Sequence, residues 1–227
     1  MRGRLVVVAG TGTGIGKTHF AEALIRAWRR NARVVGLKPV ESGVTDGIET
    51  DAARLRSVSS FHVKQFGYAL AAPLSPHLAA RDEGLEIQID GIRSNVEEIR
   101  QQVDGVVVEL AGGLFTPVTE ARCNADLAAA LTPEWLLLVA PDSLGVLHSV
   151  IATIRAALAT SLRVDGIVLV SPVQTDSSTG RNANEIRRSA GIPVLLVLPR
   201  ASSAELSELP ALRDFAKTID LEPRDPH

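Results

Sequence analysis

Residues 4–18 read Arg-Leu-Val-Val-Val-Ala-Gly-Thr-Gly-Thr-Gly-Ile-Gly-Lys-Thr, and they constrain the fold more than any other stretch. Leu5 to Ala9 is a short apolar, β-branched run, the pattern of a strand buried on both faces. A glycine-rich turn, Gly10 to Gly16, leads into Lys17-Thr18. From Thr18 to Arg29 apolar residues fall at Phe20, Ala21, Leu24, Ile25 and Trp28, the spacing of an amphipathic helix. Strand, glycine turn, Lys-Thr and helix together form the layout of a phosphate-binding loop. Glycines let consecutive backbone N–H groups face a polyphosphate, and the opening helix adds unpaired N–H groups. Lys17 is expected to meet the β- and γ-phosphates, and the Thr18 hydroxyl to ligate Mg²⁺. The spacing departs from the common one, since five residues separate Gly10 from Gly16. On a four-residue spacing Thr11 takes the first glycine's place.

The remaining apolar runs alternate between strand and helix patterns. Arg33 to Lys38 reads as a second strand delivering Lys38 at its C-terminal end, followed by the shaped loop Pro39 to Gly43. A helix is predicted from about Thr50 to Ser57 with Asp51 in its first turn, another from Pro76, and one from Asp90 to Gln102. Residues 61–82 are less periodic up to that proline. Gly105 to Glu109 is a buried-strand pattern ending in an acid, the expected place for a Mg²⁺-binding carboxylate beside a phosphate loop. Asn124 to Leu131 reads as a short helix capped by Asn124. Trp135 to Ala140, Asp165 to Ser171 and Pro193 to Leu198 read as strands. Between and after them lie helices from Ser143 to about Thr160, Asn182 to Ser189, and Leu206 to Ile219, the last running through Pro210.

This alternation predicts an α/β fold: a mostly parallel sheet with helices on both faces, of the phosphate-loop NTPase type. The chain is expected to be one domain, residues 1–227, with about the last seven residues frayed. Ligands bind beyond the C-terminal strand ends of such sheets. Lys17, Lys38 and Glu109 all leave strands there, so the residues alone predict a Mg²⁺–nucleotide enzyme or switch. Of the 227 residues 45% are hydrophobic and 22% charged, with a net charge of −2 and no basic run, which argues against a nucleic-acid partner. No apolar stretch approaches the length of a membrane span. The single cysteine, Cys123, excludes an internal disulfide. A cleaved leader would remove the first strand, so a cytoplasmic location is expected.

Four segments carry a family resemblance: Gly10 to Thr18; Leu37-Lys-Pro-Val-Glu-Ser-Gly43; Tyr68 through Pro73-Leu-Ser-Pro-His77; and Glu109-Leu-Ala-Gly-Gly-Leu-Phe-Thr-Pro117. In this order they resemble dethiobiotin synthetase, over residues 4 to about 200. The resemblance implies ATP-dependent closure of the ureido ring of dethiobiotin from 7,8-diaminopelargonic acid and CO₂, through a carbamate and a carbamic–phosphoric anhydride. It implies Lys17, Lys38 and Thr13 as catalytic groups and Thr18, Asp51 and Glu109 as Mg²⁺ ligands. The diamine would be held by Thr13, Lys38 and Ser42, and its carboxylate tail by Gly145, Val146 and His148 across the two-fold of a homodimer. ATP or another nucleoside triphosphate would lie on Gly12, Thr13, Gly14, Ile15, Gly16, Lys17, Thr18 and His19. Asp51, Glu109, Ala111, Gly112, Ser171 and Pro199 complete that site. The chain departs from the family at Gly12 (often aspartate), at Leu110 (a glycine, so crowding of the loop is expected), at His148 (asparagine) and near Ser171, where the adenine-reading asparagine is missing. A switch ATPase of the partitioning or septum-placement kind shares the fold, but carries a lysine at the position of Gly12. A related ligase with another substrate is a further reading of the same residues.

Overall fold

The computed structural model describes residues 2–64 and 66–221. The fraying expected at the extreme C-terminus falls on residues 222–227, outside the described part. In chain order the elements are β1 (Arg4–Gly10), α1 (Lys17–Trp28), β2 (Val34–Leu37), β3 (Val40–Ser42), α2 (Asp51–Val58), β4 (Tyr68–Leu70), α3 (Pro76–Asp82), α4 (Ile89–Arg100) and β5 (Gly105–Glu109). They continue with α5 (Asn124–Leu131), β6 (Trp135–Pro141), α6 (Val146–Ala159), β7 (Gly166–Val170), α7 (Asn182–Ala190), β8 (Val194–Leu198), α8 (Ser203–Glu208) and α9 (Pro210–Leu221). Six strands form one sheet in the order β2-β5-β1-β6-β7-β8, and every pairing is parallel.

The alternation of side chains along β1 explains the two-layered cover. Leu5, Val7 and Ala9 face a core with Ile92 and Val96 of α4, Leu127 of α5, Val150 of α6 and Ile186 of α7. Val6 and Val8 face the opposite core with Phe20 and Leu24 of α1, Leu55 of α2, Leu206 of α8 and Phe215 of α9. Each fully buried aliphatic side chain there contributes roughly 1.5–3 kcal/mol. The Trp135 and Phe215 rings meet edge to face at 5.3 Å, fixing α9 to β6, and Trp28 Nε1 donates to Asp220 Oδ1 at 2.7 Å, fixing it to α1.

Four expectations need correction. The loop after Lys38 contains a strand, β3, which pairs in parallel with β4 as a separate two-stranded sheet. Three residues per strand are too few for a period-two pattern to show in sequence. The helix through Pro210 is two helices, because proline has no N–H and its ring clashes with the preceding turn; Pro210 instead opens α9. The helix expected from Ser143 starts at Val146, with Gly145 at φ +94° in the capping position. Asn124 is not a cap. Cys123 occupies that position, and Asn124 is buried in the first turn of α5. Among the described residues no helix is long and apolar enough to cross a membrane.

Candidate functional site

The sheet order brings the C-terminal strand ends into line: Lys38 beyond β2, Glu109 ending β5, the phosphate loop beyond β1, Gly145 beyond β6, Ser171 beyond β7 and Pro199 beyond β8. The glycine loop is shaped where it has to be. Gly14 and Gly16 have φ of +69° and +95°, and Gly16 opens α1. A Cβ on Gly10 would come within 2.7 Å of Ile15 Cδ1 and 2.9 Å of Lys17 Cδ, so the lysine stem folds back over the end of β1. Gly10 is therefore the first glycine of the loop at which a side chain would crowd Ile15 and Lys17. Thr11 is bound through its N–H to the Val139 carbonyl at 3.0 Å. Lys17 Nζ donates to the Gly12 carbonyl at 2.7 Å, and Thr13 is exposed at the loop's crest.

Four of the anticipated side chains converge beside this loop. Lys38 Nζ donates to Glu109 Oε1 at 2.8 Å and to Asp51 Oδ2, and the Thr18 hydroxyl donates to Glu109 Oε1 at 2.9 Å. Glu109 is 1% exposed, and its second oxygen, Oε2, accepts no hydrogen bond from the described residues. Burial pushes the Glu109 pKa up, offset only in part by Lys38. Burial works against the charge of Lys38 too, but Glu109 and Asp51 outweigh it and hold the ammonium above its ordinary value. Burial likewise opposes the charge of Asp51, yet Lys38 keeps that carboxyl below the usual range. Lys17 moves the other way: burial lowers it to about 8, against the pull of Glu109.

This donor set fits Mg²⁺. A buried carboxylate oxygen without a partner, a second carboxylate and a hydroxyl are hard oxygen ligands at one point. Among the described residues no group of three or more His, Cys, Asp or Glu forms a self-sufficient metal cage. The set therefore suits an ion that takes its remaining oxygens from water and phosphate, as Mg²⁺ does with nucleotides.

Further along the edge, Gly14, Gly16, His19, Ser171, Pro199 and Arg200 contribute to a cleft of about 820 Å³. His19 Nε2 lies 2.5 Å from the Ala201 carbonyl, tying α1 to that wall. Ser42 donates its hydroxyl to the Leu74 carbonyl at 2.7 Å. In the Gly145–His148 segment His148 is exposed, whereas the Val146 side chain is buried in the core and its N–H donates to the Ser143 carbonyl at 3.1 Å. Any ligand there would meet His148 and the exposed Gly145 rather than the Val146 side chain.

Leu110 does not crowd the loop. It is 1% exposed, lies in the core, and its N–H donates to Val8 O at 3.0 Å. Asn124, read from sequence as a cap, donates from Nδ2 to the Ala111 and Gly113 carbonyls at 2.5 and 2.9 Å and shapes the turn after Glu109. Gly112 there has φ +73°, and a Cβ on it would meet Thr116 Oγ1 at 2.8 Å. Only its position, fifteen residues past the acid, links Asn124 to this turn, and nothing local in the sequence signals it.

A family model described as an AAA domain matches residues 4–206. The ATP-dependent dethiobiotin synthetase BioD of Aromatoleum aromaticum (strain DSM 19018 / LMG 30748 / EbN1) is 35% identical over 214 residues, covering 90% of this chain and 94% of that protein. The protein of the same name from Anaeromyxobacter dehalogenans (strain 2CP-C) is 40% identical over 206 residues, covering 88% and 90%. Among solved structures, a ParA family ATPase from Chlorobium tepidum TLS superposes with a TM-score of 0.59 at 14% identity, covering 94% of this chain and 98% of that one. The septum site-determining protein MinD from Pyrococcus horikoshii OT3, complexed with Mg-ADP, gives 0.58 at 14%, covering 96% of each. At such identities the likeness is one of fold. With the sequence relatives matched nearly end to end, the chain belongs to the ATP-dependent dethiobiotin synthetase family of ligases.

Proposed function

We propose that this enzyme closes the ureido ring of dethiobiotin from 7,8-diaminopelargonic acid, CO₂ and ATP. The observation that carries the reading is the Lys38 ammonium seated between Glu109 and Asp51, beside the Lys17–Thr18 loop. One amine of the diamine adds to CO₂ and loses a proton, giving a carbamate. A carbamate oxygen attacks the γ-phosphorus of ATP, and ADP departs. The second amine then attacks the carbamoyl carbon and loses a proton, the carbon–oxygen bond to the phosphoryl group breaks, phosphate leaves, and the ring closes.

These are steps of positioning and charge, in which phosphate and carbamate oxygens gather negative charge while groups meet in line. Lys17 would lie along the β- and γ-phosphates, and Lys38 between the γ-phosphate and the carbamate. Thr13 and Ser42 would hydrogen-bond the amine and carbamate end. Thr18, Asp51 and Glu109 would hold Mg²⁺, which when bound supplies positive charge to the phosphate oxygens. The backbone of Gly12, Gly14, Ile15 and Gly16 would cradle the phosphates, with Ala111 and Gly112 beside them, and His19, Ser171 and Pro199 would line the base cleft. The substrate's carboxylate tail would reach Gly145 and His148 at the start of α6, where helix N–H groups favour an anion, across the interface of a homodimer.

The decisive experiment is a mass spectrum of the product formed from the diamine, bicarbonate, Mg²⁺ and an equimolar mixture of ATP, CTP, GTP and UTP. Dethiobiotin, with phosphate release that requires all three partners of the nucleotide, is the expected result. The nucleoside diphosphate formed identifies the base that the Ser171 cleft prefers. Phosphate release at full rate without the diamine would point instead to a nucleotide switch.

A further inference from the structure

Asp51 is the first residue of α2, and it follows a largely exposed loop, residues 44–50, in which Gly47 has φ +81° with open space around it. Such a segment does not by itself fix where a helix begins. Two side chains outside the recognised roles do so here. Glu41, on β3 and three residues past Lys38, accepts the Asp51 N–H on Oε1 at 2.6 Å and the Ala52 N–H on Oε2 at 3.0 Å. Thr50 Oγ1 accepts the next N–H, that of Ala53, at 3.0 Å. Free donors at the start of a helix are ordinarily shared with water, whereas three in succession end here on side chains.

The carboxylate of Asp51 is guided from its other side. Arg54 NH1 lies 3.6 Å from Asp51 Oδ1. Arg54 is itself locked by a two-pronged pair with Glu22, Nε to Oε1 at 2.9 Å and NH2 to Oε2 at 3.0 Å. Glu22 is a buried acid on α1, one turn beyond Thr18. The planar guanidinium fork of Arg54 makes this pair directional in a way a lysine would not be. The backbone of Asp51 is thus referred to β3, which follows Lys38 closely in the chain, and its side chain to the helix that carries Thr18.

We propose that Glu41 and Arg54 are positioning residues for Asp51, setting its carboxylate at the distance from Lys38, Thr18 and Glu109 that a shared divalent cation needs. The inference rests on the metal–nucleotide reading above. Removing a group that orients a metal ligand typically weakens metal binding or activity about 10–100-fold. A helix cap with no such role would lower stability and leave metal affinity alone.

The test is a double-mutant cycle on the full chain, reading Mn²⁺ affinity by electron paramagnetic resonance in the presence of a non-hydrolysable ATP analogue. Glu41→Ala and Arg54→Ala are each expected to weaken Mn²⁺ binding about tenfold. Affinity for the analogue in EDTA should not change. In an Asp51→Ala background the same two substitutions are expected to cause no further loss, because the group they act through is gone. Should Glu41→Ala fail to fold, Glu41→Gln keeps one acceptor oxygen and carries the cycle, with an intermediate loss expected. Wild-type Mn²⁺ affinity in the single variants, or the same loss with and without Asp51, would overturn the inference alone. A wild-type protein that binds no Mn²⁺ with the analogue would overturn the metal–nucleotide reading and this inference with it.

Discussion

Lys17 lies 5% exposed against the end of β1, and burial brings its pKa down to about 8. Lys38, also buried, is held charged by two carboxylates. The pair therefore answers differently to pH. A triphosphate bound on the loop as proposed would favour the charged form of Lys17, so its pKa would be higher in the complex than in the free protein. Binding is then fully supported below about 8 and weakens as pH rises through that value, with proton uptake on binding. Titration calorimetry with ATP in buffers of differing ionisation enthalpy is expected to show this fall and uptake, and a flat affinity from pH 7 to 9.5 would contradict it. For Lys38→Ala the expectation is a loss of turnover on the order of 10²–10³, the size for deleting one charge-stabilising group. Nucleotide should still bind, since the loop and Lys17 remain. Retained turnover in a steady-state assay would remove Lys38 from the chemistry.

At the scale of elements, the loop depends on strand β5 standing flush beside β1 with α1 laid across both. Gly105 pairs with Arg4 on one side and Val34 on the other, and a Cβ there would meet the Trp28 ring at 2.5 Å. An indole anchored by Asp220 has no easy way to retreat. Gly105→Ala is accordingly expected to cost about 1–3 kcal/mol through overpacking. Its urea midpoint should fall with an unchanged slope, and a midpoint equal to wild type would show that the ring can shift. The long elements were legible beforehand because their apolar periods were long: α1, α4 and the strands β1, β5 and β6 lie within a residue or two of their expected bounds. Three-residue strands leave no period to read, so β3 and β4 were hidden, although β3 sets Glu41.

Across the whole molecule, the sheet edge runs from Lys38 to Pro199, and its middle carries conspicuous apolar exposure. Leu144 is 84% exposed just before α6, and Val173 is 75% exposed just after β7. A second copy laid over this edge would cover both and bring a partner to the Gly145–His148 segment. Sedimentation velocity is expected to give a dimer for the wild type and a monomer for Leu144→Asp. A variant that stays dimeric would place the interface elsewhere. The candidate site was legible where chemistry is written into consecutive residues, as at Lys17-Thr18, or at strand tips, as at Lys38 and Glu109. It was hidden where a residue acts at long range through the backbone of another element, as Asn124 does on Ala111 and Gly113.

The amino-acid sequence by itself determined the alternating architecture, the edge of the sheet where the candidate residues gather and the phosphate-loop layout of the first turn. All of these follow from local periods and from backbone freedom at a few glycines. Only the tertiary structure decided that Lys38 bridges Glu109 and Asp51, that Leu110 turns into the core, and that Glu41 and Arg54 lock the start of α2. Those outcomes depend on which strands become neighbours and on the directions side chains take once packed. Contacts between residues 10 to 71 positions apart leave no mark on the local pattern of either segment.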